Sequence, residues 1–191
     1  NWQTGFQYRY NQNSNFFMNY SNGRRPKVLQ FTSAGSSEIL PAERVDNIDM
    51  GVKSMIGKKV FLDMIAFRQK YSNFQTRAWI ADSDTGEFNY ITLDGGRATS
   101  YGLETSINAM LLKGLNLFGN YAYLNSRFDE TNEEGLEQEY AGNTMRLSPE
   151  HTFTLGINAQ TEISSNVRVF VTPSYSYRSH LYFEDANTTG L

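Results

Sequence analysis

Short and long interruptions alternate along this chain, and that alternation limits what it can fold into. Segments of about nine to thirteen residues place apolar and polar side chains in strict turn. The turn-like gaps at 11–14, 56–59, 113–114 and 162–166 are short, and the gaps at roughly 21–43, 72–96 and 128–150 are long. Period-two patterning marks strands with one apolar and one polar face. A soluble sandwich gives no reason for every long loop to lie at one end. A transmembrane β-barrel does, because its short turns face the periplasm and its long loops face the outside.

Composition is consistent with that class. Mean hydropathy is -0.52, and no apolar run approaches the roughly 20 residues of a spanning helix. A barrel strand exposes only every second residue to lipid, so it escapes a hydropathy plot. The 12 Tyr and 13 Phe would supply aromatic girdles at the bilayer margins. Net charge is only -3, which offers no basic stripe for nucleic acid. With no cysteine there is neither a disulfide frame nor a thiolate metal site.

Eight strands are expected, over 2–10, 15–20, 44–55, 59–71, 98–111, 115–127, 151–161 and 167–177. The fifth is the clearest. Thr99, Tyr101, Leu103, Thr105, Ile107, Ala109 and Leu111 share one face, and Ser100, Gly102, Glu104, Ser106 and Asn108 share the other. Glu104 facing hydrocarbon would be very costly, so its face is assigned to the lumen. The fourth strand carries Phe61, Ile65 and Phe67 on its luminal side, where they would pack against an internal plug. Pro173 removes one ladder donor, and a bulge is the expected accommodation. Both ends of the eight-strand set fall on the long-loop side. The expected fold is therefore an all-β, antiparallel up-and-down transmembrane barrel, present here as a curved slice of a larger one. Residues 1–191 form one partial barrel domain on this reading.

Several stretches resemble the TonB-dependent outer-membrane receptor family. Leu40-Pro41-Ala42-Glu43-Arg44-Val45-Asp46-Asn47-Ile48-Asp49-Met50-Gly51-Val52-Lys53 is similar to that family's L-x-P-E-x-x-x-N-x-E-x-G-x-K pattern, with an extra Ala42 and Asp49 in place of Glu. Ala66-Phe67 and Tyr71-Ser72-Asn73 resemble the strand that follows it. Gly95-Gly96-Arg97-Ala98-Thr99-Ser100-Tyr101-Gly102-Leu103-Glu104, Gly119-Asn120-Tyr121-Ala122-Tyr123 and Leu147-Ser148-Pro149-Glu150-His151-Thr152 resemble later strands, in order. The resemblance covers 20–191. It implies the late third of a barrel of about 22 strands, whose plug, TonB-box and closing strand lie outside these residues. It implies location in the bacterial outer membrane. It also implies import of a scarce nutrient, most often a ferric siderophore, energised by the TonB-ExbB-ExbD complex. Outer-membrane lipid and lipopolysaccharide would be the surroundings. A passive porin or small outer-membrane barrel, and a soluble all-β binding module, remain as alternatives.

The candidate ligand residues lie in the long loops: Arg24, Arg25, Trp79 and Phe88. With Lys27, the two arginines could hold an anionic ferric complex by charge-assisted contacts, or grip lipid phosphates at the outer interface, which is the favoured reading. Asp82-Ser83-Asp84-Thr85-Gly86 reads as a loop tip with Asx-type turns. Asp129, Glu130, Glu133, Glu134, Glu137 and Glu139 make either a rim for a cationic ligand or hard cation or a solvated charge run. No Asp-x-Asp-x-Asp-Gly spacing supports calcium. His151 is expected to be structural at the interface. Gly102, two residues before Glu104, would leave luminal room for plug contacts. No catalytic triad, phosphate loop or paired-carboxylate arrangement is present. An enzyme is not expected, and no metal or cofactor is assigned.

Overall fold

The computed structural model describes residues 1–31, 37–81 and 88–191, with side chains described at all of these but 30, 31, 77–81, 88–91 and 93. One antiparallel sheet dominates. Its strands are β1 (Trp2–Asn11), β2 (Ser14–Arg24), β5 (Arg44–Ile56), β6 (Val60–Ser72), β9 (Ala98–Leu112), β10 (Leu115–Phe128), β11 (His151–Ser164), β12 (Val167–Val171) and β13 (Ser174–Arg178). Each crossing pairs with the next in sequence, so the meander is up-and-down. Among the described residues the sheet does not close: β1 pairs only with β2, and β12 and β13 pair only with β11.

The short ends are tight turns with their own chemistry. Gly57 and Lys58 both have φ near +57°, as the two central residues of a type I′ turn require, and Lys59 N donates to the Ile56 carbonyl across it. Gly114 at φ +79° ends the Lys-Gly turn. At the long end, two stretches expected to be plain loops contain hairpins. Strands β3 (Val28–Phe31) and β4 (Ser37–Leu40) pair with each other, as do β7 (Gln75–Ala81) and β8 (Phe88–Asp94). The expected loop tip at 82–86 lies outside the described residues.

Pro173 acts differently from the expected bulge. Ala159 pairs with Val171 and Gly156 with Ser174, so the register is unchanged across the break. The carbonyl of Pro173 still accepts from Ile157 N at 3.0 Å. Only the reciprocal bond, for which proline has no N–H, is absent. The strand is therefore split in two without an inserted residue.

Register carries the two-faced pattern across the sheet. One row reads Tyr8, Phe16, Val52, Met64, Thr105, Tyr121, Phe153, Tyr177. The next reads Phe6, Met18, Met50, Ala66, Leu103, Tyr123, His151. Below them lie Leu62, Ile107, Leu155 and then Ala109, Leu117, Ile157. No second layer covers this face: Phe16, Met18, Met50 and Leu155 are each 44–50% exposed. From Tyr101 to Leu111 there are ten steps of about 3.3 Å, which a tilt of about 40° reduces to a band about 25 Å tall. Among the described residues the buried hydrophobics are few: Leu40, Ala42, Ala98, Phe128 and Leu181 sit in or next to the long-loop end, and Ala109 alone lies in the band. Among the described residues the apolar face is thus backed by no protein core.

The opposite face is polar and concave. Its rows include Gln3, Ser21, Asn47, Gln69, Ser100, Ser126, and three levels down Asn15, Lys53, Asp63, Ser106, Asn120, Thr154, Ser176, with Phe17, Ile65 and Phe67 in the rows between. Lys53 and Asp63 pair at 3.2 Å. Asn19 and Asn47 donate to the two oxygens of Asp49 at 2.8 and 2.7 Å. A trough of about 630 Å³ runs along this wall between Asp63, Glu104 and Arg178. Three luminal phenylalanines lie over glycines on the neighbouring strand: Phe17 over Gly51, Phe67 over Gly102, Phe118 over Gly156. A Cβ at Gly102 would sit 2.8 Å from the ring of Phe67. The space above Gly102 is thus filled by the barrel's own aromatic residue and is not a recess for other contacts.

Candidate ligand-binding rim

The long-loop end is held together by side chains that grip backbone. Gln75, 5% exposed at the start of β7, donates from Nε2 to the carbonyls of Pro26 (3.1 Å) and Pro41 (2.9 Å). Its own N–H donates to Glu43 Oε2 at 3.0 Å. Arg25 donates to the Gln75 carbonyl at 3.3 Å and lies 3.8 Å from Glu43. The first two long loops are therefore tied at their bases. Gln138 grips the next junction: its Oε1 accepts from Arg97 N (2.5 Å), and its Nε2 donates to the carbonyls of Arg97 (3.0 Å) and Asp129 (2.5 Å).

Asp185 links the last two long segments to the second. It is 6% exposed. Its Oδ2 accepts from Thr76 Oγ1 at 2.5 Å and its Oδ1 from Arg146 N at 3.1 Å. Asn143 donates to the Asp185 carbonyl at 2.9 Å. Asn187 both donates to Thr144 O (2.7 Å) and accepts from Thr144 N (2.8 Å). Hydrogen bonds from Thr188 and Thr189 hold the neighbouring Glu184 carboxyl below its usual range. Replacing Asp185 by Ala leaves the hydroxyl of Thr76, itself only 1% exposed, without an acceptor. A loss of about 1–3 kcal/mol follows for such a group. Hydrogen exchange should then accelerate at 143–147 and 181–191 and stay unchanged in the long strands. Uniform acceleration, or none, would contradict the latch.

Between the tied bases lies a cleft of about 680 Å³, within the range of small-molecule sites. Glu38, Asp94, Glu133, Glu134, Glu137 and Glu139 line it, with no lysine or arginine among the described residues of its walls. Tyr140 closes one side, packed 5.7 Å from Phe128. Burial and then Glu139 push its hydroxyl above the usual tyrosine range. Among the described residues no group of His, Asp and Glu is arranged to hold a metal ion.

The sequence candidates separate here. Arg25 is engaged by Glu43 and Gln75 and does not enter the cleft. Arg24 pairs with Arg44 across β2 and β5 and points outward from the barrel, exposed. Within the β7–β8 hairpin the backbone of Trp79 pairs with Tyr90 and that of Phe88 with Ala81, but the side chains of Trp79 and Phe88 lie outside the described residues. Of the acidic run, Glu133, Glu134, Glu137 and Glu139 reach the cleft, whereas Asp129 faces Arg97 at 3.7 Å. His151 stacks against Tyr121, whose hydroxyl lies 3.0 Å from Nδ1. The latches Gln75, Gln138, Asn143, Asp185 and Asn187 had no sequence signal, because amides in polar loops look alike until the loops are brought together.

An apolar outer band, a polar concave wall and tied loops at one end define a segment of an outer-membrane β-barrel wall. The chain belongs to the TonB dependent receptor-like, beta-barrel family, whose model matches residues 1–190. That family resides in the outer membrane of Gram-negative bacteria, and its members are transport receptors and not enzymes. Similar solved structures include the ferric yersiniabactin uptake receptor FyuA from Yersinia pestis (TM-score 0.79, 15% identity, 98% of this chain and 27% of that one). BauA, the ferric preacinetobactin receptor from Acinetobacter baumannii, gives TM-score 0.71 at 17% identity over the same shares. The siderophore receptor PiuA from Acinetobacter baumannii gives 0.68 at 18%, again over 98% and 27%. The chain thus spans about a quarter of the length of these receptors.

Proposed function

We propose that this chain is part of the barrel of a receptor that imports a ferric siderophore across the outer membrane, energised through TonB by the TonB-ExbB-ExbD complex acting on a plug inside the barrel. The observation that carries this reading is the ligand-sized cleft at the tied long-loop end, set above a polar wall. The ferric siderophores named for FyuA and BauA, and the description of PiuA as a siderophore receptor, support it. The six carboxylates around the cleft repel a multiply anionic chelate and attract a cationic or neutral one. Outer-membrane lipid surrounds the apolar band, and lipopolysaccharide meets its upper margin.

The test uses the full-length receptor as the sole siderophore receptor of an iron-starved host. Labelled iron should enter with one or a few ferric siderophores of low negative charge, and entry should stop in a strain without TonB. Uptake that survives TonB loss would support a passive pore, and failure with every ferric siderophore offered would overturn the substrate class.

A further inference from the structure

The third long segment carries a methionine whose sulfur is held by the barrel wall, and the transport reading does not use it. Residues 142–147 run back beside the top of β10. Phe128 N donates to Asn143 O at 3.0 Å, Gly142 N to Phe128 O at 3.1 Å and Met145 N to Ser126 O at 3.0 Å. The thioether of Met145 thereby rests against Ser100 and Ser126, which pair across β9 and β10 on the inner face. Both serines are 4% exposed, and their hydroxyl oxygens lie 2.5 Å apart. Ser126 Oγ donates to Met145 Sδ at 2.9 Å, and Ser100 Oγ stands 3.8 Å from the same sulfur. Each hydroxyl has one proton. Only one of the two can lie between the serine oxygens, so the other points to the sulfur. A thioether is ordinarily a weak acceptor, yet here it completes a buried hydroxyl pair.

Two oxygens that close together must lie on one side of the sulfur. That side is closed, because a 2.9 Å separation from Ser126 Oγ leaves no room for a bonded oxygen. Met145 itself is only part-buried, so its remaining side is the one a reagent can reach. The neighbours in sequence give any change at the sulfur a consequence. On one side Thr144 exchanges two hydrogen bonds with Asn187. On the other, Arg146 N donates to Asp185 Oδ1 at 3.1 Å. The sulfur thus stands between the two clasps that join the last long segments. The other methionines are placed differently. Met18, Met50 and Met64 belong to the outward rows, and Met55 and Met110 line a hollow near the short turns.

We propose that Met145 is a site of reversible oxidation that loosens the rim, and that the Ser100–Ser126 pair confines the product to one sulfoxide epimer. A peroxide is the oxidant. The open lone pair of the sulfur attacks one peroxide oxygen, the O–O bond breaks, and the second oxygen leaves as water with the proton of the first. The sulfur is oxidised by two electrons and the peroxide reduced by two. The oxidised sulfur loses its accepting power, so one buried serine proton loses its partner, which a buried polar group does not tolerate without cost. Turning the new oxygen toward Ser126 restores an acceptor but draws residues 144–146 out of both clasps. Reduction by a sulfoxide reductase returns the thioether. Nothing in this depends on which compound the receptor imports.

The test uses the full-length receptor in mild detergent, hydrogen peroxide as the probe, and peptide mass spectrometry. After digestion, the peptide that holds Met145 is offered separately to the two epimer-specific methionine sulfoxide reductases. From the folded wild type, one reductase should restore roughly ten times as much of it as the other. The same receptor oxidised in denaturant should yield both epimers alike, and S126A should lose the bias when folded. Hydrogen exchange at 143–147 and 181–191 should rise several-fold when the wild type is oxidised and stay unchanged in peroxide-treated M145L. Both epimers in equal amount from the folded wild type would overturn the proposal. So would a Met145 left intact while Met110 is oxidised, or unchanged exchange once Met145 is fully oxidised. The epimer ratio needs no variant, so the proposal stays falsifiable even where M145L or S126A fails to assemble.

Discussion

Arginine at position 107 is expected to cost the full-length receptor about 2–4 kcal/mol of barrel stability, the range for a cation on the lipid face near the bilayer midplane. Ile107 lies in the row with Leu62 and Leu155, well inside the apolar band. Its neighbour Asn108 points the opposite way, into the polar concavity, beside Phe61 and Phe118. Asn108→Arg is expected to change stability by only a fraction of that amount, because the charge reaches water. Unfolding of the receptor in lipid vesicles measures both. Adjacent positions with opposite outcomes are the signature of a one-layer wall between hydrocarbon and water. Similar losses at both positions would mean that both faces pack against protein.

The second large effect concerns the phenylalanines laid over glycines. A Cβ at Gly156 would meet the ring of Phe118 at 2.3–2.9 Å, and the three nearest atoms all belong to that ring. A Cβ at Gly102 would meet Tyr123 O at 2.1 Å before it met Phe67. The ring can be removed by mutation, but the backbone carbonyl is held by the β9–β10 ladder. Gly156→Ala should therefore destabilise by roughly 1–3 kcal/mol, the usual range for an overpacked site. Adding Phe118→Ala should recover most of that loss relative to Phe118→Ala alone. Gly102→Ala should cost at least as much, with little recovery on adding Phe67→Ala. The coupling energies from the two double-mutant cycles decide the matter. Equal rescue at both sites would show that the ring, and not the carbonyl, sets the limit at Gly102.

What the sequence displayed, and what it hid, follows from the range of the forces involved. The eight crossings were legible because each strand must present one face to hydrocarbon and one to water. That demand is written locally, two residues at a time, as in Thr105-Ser106-Ile107-Asn108. The hairpins inside the long loops were not legible. Val28–Phe31 and Gln75–Ala81 are short and show no sustained alternation. Pro173 was read as a lost donor within one strand, but the split without a bulge could not be foreseen: whether a lost donor needs an extra residue depends on the partner strand. Gly102 was recognised as luminal, yet its neighbour Phe67 is 35 positions away in sequence and meets it only through strand pairing. The acidic run was visible as charge. That four of its carboxylates join Glu38 and Asp94 around one cleft depends on loop bases fastened by Gln75 and Gln138, which no spacing announces.

The manner of that fastening bears on how the exposed surface can change over generations. Gln75, Gln138, Asn143, Asp185 and Asn187 hold their neighbours chiefly by main-chain carbonyls and amides. A grip on main chain is indifferent to the identity of the residue held. Most positions on the outer lobes are thereby free to change, so long as a handful of amides and one carboxylate persist. The mouth of the barrel can alter its appearance while its frame stays the same.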